Sequence, residues 1–211
     1  GVLPQGTVGE MSFQDQATKV ETFVEKLLPD YPNDFIDSIP VELFLGEFSL
    51  LGQLEGCSSA GLFQYRLGKL KGGELLAVWC RHLVLNCIKP QGVVCESRWF
   101  TEDAEIHLLP VAEPEQHLLA LLTHYWAGCQ SPLPLITNTS FAYAKASLNG
   151  GRADPDKAMW AIWLGGQFTT AEAEDIYYQQ LYKTAPLDDA FKALALDIYQ
   201  PIYDHLADGR L

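Results

Sequence analysis

Between two short runs of strand character, Leu62–Leu67 and Val93–Phe100, lies a long apolar stretch, Glu74–Ile88. The Gly72-Gly73 pair opens it, and Pro90 with Gly92 closes it. Its length suits a helix, and its wide apolar surface predicts a helix packed across a sheet. A helix that joins two strands of one sheet carries the chain back to the end where the first strand began. The two strands are then parallel, with a right-handed crossover. This order predicts the α/β class, with a mixed central β-sheet and flanking helices.

Upstream, Met11–Leu28 carries Phe13, Ala17, Val20, Phe23, Val24, Leu27 and Leu28 at helical spacing. Ser12 and Asp15 have the spacing of a capping box, and Pro29 and Pro32 end the helix. Strand character follows in Phe35–Leu45 and Glu47–Glu55, where Val41, Leu43 and Leu45 alternate with Glu42, Phe44 and Gly46. The turn-forming run from Gly56 to Gly61 predicts that Glu47–Glu55 pairs with Leu62–Leu67 as an antiparallel hairpin. The resulting order is α-β-β-β-α-β, with Ile106–Leu109 a candidate further strand.

The remainder reads as helical. Glu113–Cys129 is amphipathic, Phe141–Leu148 is a short helix, and Asp154-Pro155 starts another that Gly165-Gly166 stops. Thr169 and Glu172 read as a capping box before Asp175–Lys183. Pro186 with Asp188 and Asp189 opens a last helix, which Pro201 kinks or ends. The chain is expected to be one domain over 1–211, with a core at about 11–110 and a helical C-terminal lobe at about 111–211. Its start, Gly1-Val2-Leu3-Pro4, reads as cut from a longer chain.

No apolar run approaches the roughly 20 residues that a membrane span needs. The five cysteines form no Cys-x-x-Cys pair, so free thiols and a reduced, cytoplasmic setting are expected. His117 and His124 share a helix face without a carboxylate cluster, and no metal or other cofactor is expected. The net charge of −13 disfavours tight nucleic-acid binding by the whole surface. The charge is uneven, however. Arg66, Lys69, Lys71, Arg81, Lys89 and Arg98 face only Glu74 and Glu96 between 66 and 98, a local +4 that leaves −17 elsewhere. Lys69, Lys71 and Arg98 are the candidate DNA-binding residues. Trp99, Phe100, Trp160, Trp163, Tyr177, Tyr178 and Tyr182 could stack bases or plug an interface, but their spacing mostly fits core.

The stretch with chemical content joins Glu55, near the end of one strand, to Gln64 and Arg66, two apart on the next. An α-β-β-β-α-β core with side chains there resembles the PD-(D/E)xK nuclease fold. In its RecB-like members one strand carries Gly-Arg-Ile-Asp-Arg and the next Asp-Tyr-Lys-Thr-Gly. On that resemblance Glu55 stands for the first metal-binding Asp, Gln64 replaces the second, and Arg66 replaces the catalytic Lys. Tyr65 and Gly68 are retained, whereas Leu75 and Trp79 occupy the Gln-x-x-x-Tyr positions of the following helix. Phosphodiester hydrolysis of this type needs clustered carboxylates to hold Mg²⁺ and generate a hydroxide. Gln64 cannot neutralise a divalent ion, and Arg66 does not deprotonate in proteins. No catalytic residue is therefore expected, and Glu55 beside Arg66 reads as a structural ion pair. Finding this region all helical, or Glu47–Glu55 and Leu62–Leu67 in separate sheets, would sink the nuclease-fold reading.

A wider resemblance covers almost the whole chain. Gly1–Gly6 with Gly9-Glu10, Tyr65–Leu70, Leu76–Val84, Glu96–Arg98, Ser131–Leu135 and Asp175–Tyr182 resemble, in order and spacing, the C-terminal domain of the exodeoxyribonuclease V gamma-chain family. The resemblance implies a domain with a lost nuclease site, serving as a scaffold in a helicase–nuclease that processes double-strand breaks. It also implies the beta and alpha chains and the rest of the gamma chain as partners. Direct DNA contact by this domain is expected to be weak and sequence-independent. Two other readings stand beside it. One is an active nuclease with a relocated acid, using Glu55 with Glu74 or Glu47. The other is a protein-interaction domain without DNA contact.

Overall fold

The structure, a computed structural model, describes residues 4–150, 153–166, 170–209 and 211. Its element order is α1 (Thr7–Leu27), β1 (Ile39–Leu45), β2 (Phe48–Leu54), β3 (Cys57–Ser58), β4 (Gly61–Tyr65), α2 (Gly72–Ile88), β5 (Ser97–Phe100) and β6 (Glu105–Leu108). The helices α3 (Pro114–Gln130), α4 (Thr137–Leu148), α5 (Pro155–Leu164), α6 (Ile176–Leu181) and α7 (Asp189–Asp204) follow. The α/β class and the mixed sheet are as the sequence predicts.

The strand–helix–strand unit forms as expected. β4 and β5 pair in parallel, Leu62 opposite Ser97 and Tyr65 opposite Phe100, with α2 connecting them. Antiparallel β3 and β6 flank them, giving the order β3-β4-β5-β6. α2 is buried along most of its length through Leu75, Val78, Trp79, His82, Leu83 and Leu85. Trp79, Leu75 and Leu85 share one apolar core with Leu62, Trp99 and Leu108 of the sheet and Tyr199 and Ile202 of α7.

The expected hairpin between Glu47–Glu55 and Leu62–Leu67 does not form. β2 pairs instead with β1, from Leu45 opposite Phe48 to Ile39 opposite Leu54, in a separate two-stranded sheet. This counts against the PD-(D/E)xK type. Alternation of apolar residues says which side chains face inward but not which strand is the neighbour. The chain breaks at Gly56, where φ is +80° and a Cβ would lie 2.9 Å from the Phe63 carbonyl oxygen. Beyond it only a short ladder remains, with Cys57 opposite Leu62 and Ser58 opposite Gly61.

Smaller departures have local causes. α1 begins at Thr7, after Gly6, so Ser12 and Asp15 sit inside the helix and cap nothing. The outer ends of the predicted strands are irregular, and Glu55, Arg66 and Leu67 lie outside strands. Asp154, Asp175 and Asp188 cap α5, α6 and α7 through their side chains. Thr169 lies outside the described residues. Pro201 is tolerated inside α7, which continues for one further turn to Asp204.

Candidate functional site

The parallel strands β4 and β5 end where α2 begins, and the side chains singled out above meet only in part there. Gln64 is half-buried on β4 beside Trp99, its register partner on β5. Arg66 follows the strand, and its N–H donates to the Phe100 carbonyl at 2.9 Å. Its guanidinium is paired not with Glu55 but with Glu74 in the first turn of α2. The pair is partly exposed, so it is worth at most about 1 kcal/mol. Its consequence is local neutrality. Glu55 is exposed in the break after β2. Glu47 lies in the turn at the far end of that strand, roughly 25 Å from Glu55 at the usual rise per residue. One ion cannot bridge those two carboxylates. Among the described residues, no three His, Cys, Asp or Glu side chains gather as a metal site.

The loop from Leu67 to Lys71 is held at three points. Glu102 N–H donates to the Gly68 carbonyl at 3.0 Å. Leu70 N–H donates to Asp103 Oδ1 at 2.8 Å, and Gly72 N–H to Asn138 Oδ1 at 3.2 Å. Asp103 also accepts from Thr101 Oγ1 at 3.2 Å, and Lys26 of α1 donates to the Thr101 carbonyl at 3.0 Å. Exposed Lys69 and Lys71 thus project from a fixed loop, and neither forms an ion pair among the described residues.

Arg98 is different. Its guanidinium pairs with Asp30, just beyond α1. Lys89 caps the opposite end of α2 from Lys71, a helix length of roughly 26 Å away. The local +4 is therefore not one patch: two of its charges are paired, and the others spread along α2. Of the candidate DNA-binding residues, Lys69 and Lys71 lie together and Arg98 is engaged elsewhere.

The sequence reading missed a polar network on α2. His82 is fully buried, with Nδ1 2.8 Å from Ser97 Oγ and Nε2 3.0 Å from the Leu109 carbonyl. A carbonyl only accepts, so the proton sits on Nε2 and Nδ1 accepts from Ser97. Burial lowers the His82 pKa to about 4, leaving a neutral ring. Asn86, one turn on, donates to the Cys95 carbonyl at 3.2 Å and accepts from Val111 N–H at 2.9 Å. His and Asn four apart in a mostly apolar helix were the available signal. All five cysteines are free, and burial pushes the Cys57 and Cys87 thiols up to about 11. No described helix is long and apolar enough to cross a membrane.

Residues 1–148 match the sequence model of the RecC C-terminal domain. The chain belongs to this family. It is also 20% identical over 190 residues to the RecBCD enzyme subunit RecC of Buchnera aphidicola subsp. Schizaphis graminum, covering 86% of this chain. The chain spans only 18% of that relative's length. Arg66, Lys69 and Lys71 all fall within the RecC C-terminal match, as do the mixed sheet and α2.

Proposed function

We propose that this RecC C-terminal domain is a non-catalytic scaffold and DNA-handling part of the gamma subunit of exodeoxyribonuclease V. It would act beside the beta and alpha chains and the rest of the gamma chain in recombinational repair of double-strand breaks. The observation that carries the non-catalytic part is the Arg66–Glu74 pair. A cation that stays protonated near neutral pH neutralises Glu74, while Gln64 supplies only a neutral amide. The donors present do not fit a divalent ion. This reading needs the family and the pairing, not a nuclease ancestry, which rests on β4, α2, β5 and β6 alone.

DNA contact falls to Lys69 and Lys71. Each phosphate neutralised releases counterions, so affinity declines with salt in proportion to the number of contacts. Two lysines on a chain of net charge −13 support weak, sequence-independent binding. Tethering within an assembly raises the effective concentration enough for such contacts to matter. The test is DNA binding of the Lys69→Glu/Lys71→Glu variant across a salt series, with assembly of the subunits measured in parallel.

A specific observation favours a second reading, a protein-interaction domain without DNA contact. Phe13, Val20 and Val24 of α1 are largely exposed, while only Phe23 and Leu27 of that helix's apolar face are buried, against Phe63 and Phe100. The same variant separates the two. Loss of assembly with DNA binding intact makes Lys69 and Lys71 a partner surface.

A further inference from the structure

The β1–β2 hairpin is a sheet of two strands, so each strand has one edge without a neighbour among the described residues. The two edges are not alike. Counting in twos from the Gly46-Glu47 turn, the hydrogen-bonded pairs are Leu45–Phe48, Leu43–Leu50, Val41–Gly52 and Ile39–Leu54. Pro40 and Glu42 therefore lie at positions whose amide groups point outward from β1. Pro40 has no N–H to offer, which blunts that edge.

The β2 edge has no such guard. Ser49, Leu51 and Gln53 direct their N–H and C=O groups outward, and no backbone partner meets them among the described residues. Leu50 through Leu54, five consecutive residues, line an open groove of about 400 Å³ whose other wall is Val84 of α2 with Leu118, Leu121 and Leu122 of α3. Val41 of β1, the partner of Gly52, lines it as well, so the groove lies on the inward face at Gly52, alongside the β2 edge. The gap exists because of Gly52, which alternation places on the inward face between Leu50 and Leu54. A Cβ built there meets nothing within 4 Å. Arg81 is the single charged side chain of the lining, exposed and in no ion pair among the described residues.

We propose that the β2 edge is a docking site for an extended segment of another polypeptide, added as a third strand. The backbone of Ser49, Leu51 and Gln53 supplies the ladder. Apolar side chains at alternate positions of the incoming segment fill the space over Gly52, and a carboxylate meets Arg81. A second copy of β2 is the poorer occupant, because Phe48–Leu54 carries no acid to bring to Arg81. This surface extends the scaffold reading but does not depend on the DNA role, which the Lys69 and Lys71 variants test separately.

The experiment is selection of phage-displayed random peptides against the 211-residue chain, followed by amide hydrogen exchange with a synthetic copy of the enriched sequence. The expected peptides alternate apolar residues and include Asp or Glu, and they slow exchange at Ser49, Leu51 and Gln53. Gly52→Leu, which fills the groove, should weaken binding about tenfold, as should Leu51→Pro, which removes one outward N–H and no bond to β1. Arg81→Glu should weaken it by about fivefold. The two edge variants act by different means, so either one that keeps the parent's circular dichroism decides the matter. Absence of any enriched sequence, or binding unchanged in the folded variants, overturns the proposal. Concentration-dependent protection of the same three amides in the chain alone also overturns it, because a second copy then covers the edge.

Discussion

The Nε2–H of His82 donates to the carbonyl of Leu109 at 3.0 Å, tying the middle of α2 to the chain that leaves β6. The ring is buried and neutral, with its pKa lowered to about 4 by burial. In the unfolded chain the same ring titrates near 6.5. Between these values the unfolded state binds a proton that the folded state refuses, so stability rises with pH. The contribution is fully present above about 6.5, declines as pH falls towards about 4, and amounts to roughly 3 kcal/mol. Urea unfolding of the parent and of His82→Leu from pH 4 to pH 7 checks this. The variant should be the less stable at pH 7, because Ser97 and the Leu109 carbonyl lose their partner, yet its stability should change less over that range. Parallel losses in both proteins would show that another group carries the effect.

Glu172 should matter to a helix far from it in sequence. Its carboxylate accepts from the N–H and Nδ2 of Asn138 at 3.3 and 2.9 Å. It also accepts from the N–H and Oγ1 of Thr139, each at 2.7 Å. The N-cap residue of α4, Ile136, has no side chain able to do this. Glu172→Ala leaves those donors unpaired and removes a negative charge from a helix N-terminus, a loss of about 2 kcal/mol. Thermal unfolding should shift down by roughly 4–8 °C, with Glu172→Gln falling between the two.

Two neighbouring glycines should respond in opposite directions. A Cβ on Gly72 would lie 2.4 Å from the Thr137 carbonyl oxygen and 2.7 Å from Tyr199 Oη, where α4 and α7 close on the start of α2. On Gly73 the nearest atoms are Thr137 side-chain atoms at 3.6–3.7 Å, an ordinary contact. Gly72→Ala should destabilise by about 2 kcal/mol or more, whereas Gly73→Ala should stabilise by up to about 1 kcal/mol through helix propensity. Chemical denaturation of the two variants side by side decides it.

These cases show which parts of the fold were legible beforehand. Asp154 and Asp188 were readable as helix starts because a cap acts on its own next turn. The β4–α2–β5 unit was readable because a long apolar helix between strands leaves few geometries. The service of the Glu172 carboxylate to α4 was not readable, because its spacing points only to its own neighbourhood. The partner of β2 was hidden because the Gly56 break interrupts a pattern that alternation alone continues. The charge island was contiguous in sequence but not in space, since α2 separates its ends. Of the candidate site, the identities of Gln64 and Arg66 were plain. The partner of Arg66 was not, because the loop from Leu67 to Lys71 brings Glu74 back to it.

DNA binding by the chain should be weak and modestly salt-dependent. With Lys69 and Lys71 as the contacts, log affinity against log salt should have a slope near −2, falling towards zero in Lys69→Glu/Lys71→Glu. Arg98→Glu should change the slope little, because Asp30 already neutralises Arg98, and should instead destabilise the joint between β5 and the end of α1. Fluorescence anisotropy with duplexes of unrelated sequence measures both. A slope unchanged by the double variant would place the contact elsewhere.

The most direct measurement is Mn²⁺ and Mg²⁺ titration of the chain, coupled to a cleavage assay on single- and double-stranded DNA with the parent and Glu55→Ala. A site built from Gln64, an Arg66–Glu74 pair and a solitary Glu55 predicts no stoichiometric metal binding and no cleavage by either protein. Metal-dependent cleavage by the parent that disappears in Glu55→Ala would contradict the account.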